Sequence, residues 1–359
     1  MLLLAATGCA STDRVAEPSL ESEHVYLPAP PPLRAAPDAP PLASPAEIDK
    51  LIAAFAAIEH PHMGLSAIQA GQAFLPVPGA STVSARVLVR DPVEVPAALK
   101  RIVELGPDAL PALLEHLDDA TPTLLDIVHE SRIGGMWFAN ELWGNPISPR
   151  EQLVLRARPD DWSATAADSW TDSYRIKVGD VCLVAIGQIT GRGFSAARYQ
   201  PSGNTVLNSP TRDPELRREV RSMWHSEDPR QLLLDSLLFD FACRGISNGS
   251  SLDGWYIASR LQTAAALRLA WYFPDQSAGL LAERLDGLEV HDCWRKQEAA
   301  DDGSTQDAFL LREVANGVST HELVAALTWS KEPKIQAALE RIAARTDDPD
   351  LLEVLGREP

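Results

Sequence analysis

The sequence predicts a mainly α protein: helical hairpins in an irregular solenoid or array, with a small β-hairpin inserted. Three observations carry that expectation. Apolar residues recur every three to four positions from Val95 onward, turn residues break that spacing at similar offsets, and the helical spacing lapses between about 120 and 210. The 359 residues are 45% hydrophobic and 23% charged, enough to bury a large core. Acids outnumber bases 50 to 32, a formal charge of -18. A field of that sign repels phosphate backbones, so nucleic acid is not an expected partner. With four cysteines, one of them at position 9, no cysteine-rich metal domain can be built.

Residues 2–8 are apolar or small and lead into Cys9, after which the chain turns polar. The run Ala6-Thr7-Gly8-Cys9 resembles a bacterial lipoprotein signal, in which small residues before a cysteine let a peptidase cut and the thiol take up diacylglycerol. It is shorter than a usual secretory core and has no Lys or Arg ahead of it. The resemblance implies a signal over 1–9, lipidation at Cys9, and a lipid-anchored place in the bacterial cell envelope, facing an extracytoplasmic compartment. Residues 10–44 carry prolines at 18, 28, 30, 31, 32, 37, 40 and 41 with little apolar periodicity. They read as a disordered tether that, at ~3.1 Å per residue, reaches roughly 100 Å from the lipid.

The folded body is expected over 45–359. Ser44-Pro45-Ala46-Glu47 reads as a capping box with proline at the first helical position, followed by Ile48, Leu51, Ile52 and Phe55 at helical spacing. Residues 60–90 read as mostly irregular. Leu99, Ile102 and Val103 then share one face, Gly106-Pro107-Asp108 breaks it, and Leu110, Leu113, Leu114 and Leu117 make a second face. The stretch Ala97-Ala98-Leu99-Lys100-Arg101-Ile102 reappears as Ala337-Ala338-Leu339-Glu340-Arg341-Ile342, and loosely as Ala264 to Leu269, with Pro-Asp turns following at 107, 274 and 349. On these residues the chain resembles the HEAT and related α-helical repeat proteins, with units at 94–119, 255–287 and 306–355. The first unit is also similar to bacterial envelope proteins that have no assigned activity.

The non-repeat insertion spans about 120–210. Residues 124–142, centred on Ser131-Arg132-Ile133-Gly134-Gly135, read as a β-hairpin with Leu125/Ile127 and Met136/Phe138 facing inward. Val178, Val181, Cys182, Ala185, Ile186 and Ile189 trace a buried helix ended by Gly191, and 201–210 reads as a loop. Asp213-Pro214 starts a helix that turns Leu216, Val220, Met223 and Trp224 inward, and helices follow at about 230–243 and 253–272.

Motifs that usually carry chemistry are incomplete. His129-Glu130 and His321-Glu322 begin like a zinc-protease helix, but Ile133 and Ala325 stand where the second histidine belongs. Ser319 with Glu322 reads instead as a second capping box. His60-Pro61-His62 and His291-Asp292-Cys293 lack partners at metal-ligand spacing, so no metal site, no cofactor and no catalytic set is expected. In an oxidising compartment Cys243 and Cys293 could pair across a loop of ~50 residues. Tryptophan is the commonest aromatic, nine against eight Phe and five Tyr, and Trp137, Trp143, Trp162 and Trp170 fall in the insertion. Indoles bury much area at small rotamer cost, which makes Trp137 and Trp143 candidate binding residues.

These readings together favour an envelope-attached, non-enzymatic scaffold that presents a surface to a protein partner of unspecified identity. Its contact with the membrane runs through the lipid anchor alone. Two alternatives stand beside it: a hydrolase or other enzyme with a dispersed site around His60, His62 and His129, and an envelope-polysaccharide binder using Trp137 and Trp143.

Overall fold

The computed structural model describes residues 33–35, 42–59, 70–77, 96–129, 133–145, 148, 151, 170–200, 203–243, 252–290 and 316–357. In chain order they form α1 (Pro45–Ala53), α2 (Ala97–Leu105), α3 (Leu110–Glu115), β1 (Pro122–Val128), β2 (Met136–Ala139), β3 (Ser173–Lys177), α4 (Val178–Thr190), β4 (Ala197–Tyr199) and β5 (Thr205–Asn208). Then come α5 (Pro214–Trp224), α6 (Pro229–Phe241), α7 (Leu252–Tyr272), α8 (Pro274–Asp286), α9 (Thr320–Ala325), α10 (Pro333–Arg345) and α11 (Pro349–Val354). The protein is mainly helical with two small sheets. Among the described residues, no helix is long and apolar enough to cross a membrane.

Several helix starts follow one local rule. An aspartate accepts hydrogen bonds from the first-turn amides while proline fills the first helical position, at Asp213-Pro214, Asp228-Pro229 and Asp348-Pro349. Ser44 does the same for α1 through the amide of Glu47. The capping box expected at Ser319 does not form: its hydroxyl makes no cap bond, and its amide donates instead to the Ser259 hydroxyl at 2.8 Å.

The centre of the core is α4, all 13 of whose residues are buried. A helix that is apolar on every side has to be enclosed, and α1, α2, α3 and α6 all pack on this one. Leu99, Ile102, Leu113 and Leu114 are buried as expected, on helices that both pack against α1 and α4. Farther along the chain, α6 packs on α7, α7 on α8, and α8 on α10.

Enclosing a whole helix strands the unpaired amides and carbonyls of its two ends, along with its dipole. Buried charges meet both ends with the appropriate sign. At the N-terminus, Asp180 accepts from the Lys177 amide at 2.9 Å, the Tyr174 hydroxyl at 2.7 Å and the Ser209 hydroxyl at 2.7 Å. Burial pushes its carboxyl up to about 6 against the pull of those donors. At the C-terminus, Arg268 of α7 donates to the carbonyls of Gln188 at 2.7 Å, Ala264 at 3.0 Å and Ala73 at 3.1 Å, and burial pulls it down to about 10. Arg192 adds a bond to the Thr190 carbonyl at 3.2 Å. The rest of its fork holds Glu151, Asp240 and the Ser236 hydroxyl, while Asn145 bridges both carboxylates. This cluster ties residues 145 and 151 of the insertion, and the end of α4, to α6 through one buried cation and two buried acids.

The expected β-hairpin at 124–142 is not present. Strand β1 pairs antiparallel with β3, while β2 joins a different sheet, parallel to β5 and thence antiparallel to β4. Leu125 and Ile127 do face inward. The pairing differs because the glycines between the strands do not reverse the chain. Gly134, at a left-handed φ of 80°, abuts Gly203, and the Gly135 amide and carbonyl bond to the Asn204 side chain and the Thr205 amide. The segment therefore docks on the β4–β5 turn and starts a parallel ladder. The stretch read as a loop at 201–210 contains β5, whose four residues are all buried. Within the expected tether, Leu33 and Ala35 pack against the core, and the Ala35 amide donates to Gln231 at 2.9 Å. Cys9, His60, His62 and Cys293 lie outside the described residues.

Candidate functional site

The three-stranded sheet β2-β5-β4 has two chemically different faces. Residues directly opposite one another on paired strands share a face. Met136, Leu207 and Ala197 accordingly join the core. The other face carries Trp137, Val206 and Arg198 in register across the three strands, with Val206 and Trp137 buried and Arg198 partly exposed at the edge. With strands ~4.8 Å apart, Trp137 and Arg198 stand about 10 Å from each other.

Two more indoles complete this outer row. Trp170 forms a backbone bridge with Trp137 and lays its ring 5.2 Å from the Trp137 ring, tilted by 47°. Gly135 makes room for it, since a Cβ there would come within 2.0 Å of the Trp170 ring. At the other end, the Arg198 guanidinium sits 5.9 Å from the centre of the Trp143 ring. The same guanidinium forks onto Glu141 with contacts of 2.7–2.9 Å, and Asn208 of β5 accepts the Glu141 amide at 2.8 Å. The Trp143 carbonyl accepts from the Gly193 amide at 2.7 Å. Each member of the row is thus fixed by backbone or by a charged partner.

Exposure divides the tryptophans. Trp143 is 44% exposed and Trp170 39%, whereas Trp137 is 7% exposed beneath Trp170. Of the two indoles singled out from the sequence, Trp143 presents a surface and Trp137 lies covered by Trp170. A sugar platform made of Trp137 and Trp143 therefore lacks one of its two faces. Arg198 and Glu141 carry no local sequence signal; they are 57 residues apart and meet only through the ladder.

The other candidates are placed as follows. Cys243 is buried beside Ala258 and Leu261, and the cysteine expected to pair with it is outside the described residues. His129 follows β1, with its amide bonded to the Asp172 carbonyl at 2.9 Å and its Nε2 buried without a hydrogen bond. Among the described residues, no three His, Cys, Asp or Glu side chains converge as a metal-binding group. Set against known protein families, curated proteins and solved structures, the chain has no significant match.

Proposed function

We propose that the protein is a non-enzymatic, envelope-attached interaction module whose outer sheet face docks a protein partner. The observation that carries this reading is the row Trp143, Arg198, Trp137 and Trp170, which joins two half-exposed indoles and a pre-positioned guanidinium on a rigid sheet. Tryptophan and arginine dominate binding energy at protein interfaces, because they bury large areas with little conformational freedom left to lose. The succession α6, α7, α8 and α10 supports a HEAT-like array as the scaffold for that sheet. Cys9 and the proline-rich segment hold it near lipid in this proposal.

The test is recovery of a partner from solubilised envelopes by the parent chain and by a Trp143→Ala/Trp170→Ala variant. A protein recovered in fixed proportion by the parent and lost from the double variant, with the helical spectrum unchanged, supports the reading. Equal recovery by both defeats it, and recovery of a polysaccharide in place of a protein transfers the face to the sugar-binding alternative.

A further inference from the structure

The chain is strongly acidic, yet one face of α5 is basic. Arg217, Arg221 and His225 recur every fourth residue, and with Pro214, Arg218 and Ser222 they line an open depression of about 510 Å³. Two of the arginines are fixed from behind. Arg217 donates to the carbonyls of Pro210 and Thr211, and Arg221 donates to those of Leu114 at 2.9 Å and Glu115 at 3.2 Å. Carbonyls position a guanidinium without cancelling its charge, and these bonds occupy part of its five donors. Arg218, 70% exposed, reaches Glu215 at 3.5 Å, and Arg221 lies 3.4 Å from Asp118. Glu215 and Asp118 offset part of this positive charge, and Arg217 is held in place by carbonyls.

We propose that this depression docks a short acidic segment of a protein partner, carried in extended form. From Arg217 to His225 the helix advances about 12 Å, the span of about four extended residues. Alternate side chains of such a segment meet successive turns of the basic stripe. Guanidinium forks take carboxylates two-pronged, and forks already held in place lose little freedom on binding. The net charge of -18 repels an anionic bilayer, which favours a short acidic segment as the occupant. The surrounding negative field repels long polyanions, so the site suits a few carboxylates acting at contact distance. This site is separate from the sheet face and goes beyond the function proposed above.

The experiment is fluorescence anisotropy of the full chain in detergent with a labelled, end-blocked peptide of alternating Glu and Ser. Binding is expected at about 50 mM salt and should weaken severalfold by about 300 mM as the charges are screened. Arg218→Glu, which disturbs no carbonyl contact, should weaken it by roughly fivefold or more with an unchanged thermal melt. Arg341→Glu on α10 and Trp143→Ala should leave it unaltered, which separates failure here from failure of the sheet-face reading. The proposal is overturned by equal binding of a Gln-Ser peptide, or by undiminished binding to Arg218→Glu. It is also overturned if a Cys9→Ser chain binds phosphatidylglycerol vesicles through Arg218 but ignores the peptide, because the occupant is then lipid.

Discussion

At Arg198 two demands meet: it neutralises a buried acid and stands beside an exposed indole. Glu141 is 1% exposed, so removing the guanidinium leaves a largely buried carboxylate without its countercharge. Arg198→Met should cost about 3–5 kcal/mol. The Arg341–Asp286 pair has the same two-pronged geometry, but its acid is 41% exposed. Arg341→Met should therefore cost less than about 1 kcal/mol. Denaturant melts of the two variants compare them directly; equal losses would mean that burial does not set the value of the Glu141 pair. At this scale the sequence is legible where a residue's neighbours are local, as with the Asp-Pro helix starts. It is silent where they are distant: nothing near Trp137 announces that Trp170 will cover it, since the two meet only once the ladder has formed.

The helix α4 shows what a periodic pattern can and cannot reveal. Its apolar spacing indicates burial and Gly191 its end, but neither reveals what meets its termini: the hydroxyls of Tyr174 and Ser209 on its own Asp180, and the guanidiniums of Arg192 and Arg268. Those charges carry a pH signature. Asp180 and Asp240, both raised by burial from 3.8 to about 6, hold their protons more firmly folded than unfolded. Their contribution is complete below about 3.8 and is lost as pH rises through about 6. Asp126 and Asp286 act in the opposite sense: the arginines bonded to them hold them low, and their smaller, solvent-screened contribution is lost toward acid. Stability should fall between about pH 4 and 7, and Asp180→Asn should flatten that slope; melts at stepped pH that rise across the interval would refute it. The first hairpin provides a second test. Leu113→Ala, fully buried against α4, should cost about 2–5 kcal/mol, and Lys100→Ala less than about 0.5 kcal/mol. The expected β-hairpin does not form because apolar alternation identifies strands without identifying their partners, and here Gly134 and Gly135 bind the β4–β5 turn.

For the molecule as a whole, helix content was legible from spacing and turn residues, because these are local properties. The packing of α2 and α3 against both α1 and α4 was not, because a stripe of leucines does not name the surface that will cover it. The body also takes hold of the chain before its first helix, through Ala35 on Gln231 and Leu42 on Asp108. A chain beginning at residue 44, which keeps the Ser44 cap, should keep its helical circular dichroism but lose about 1–2 kcal/mol relative to one beginning at 33; equal melts would show that these contacts contribute nothing. Cys9→Ser should shift the protein out of the membrane fraction, and undiminished sedimentation with membranes would contradict the anchor. The central claim, that the outer sheet face is where a partner docks, is tested most directly by placing a photo-cross-linking residue at position 143 in growing cells. Leu124, exposed on the other sheet, serves as the control position. The account predicts one discrete protein adduct from position 143 and none from 124; no adduct at 143, or the same adducts from both positions, would contradict it.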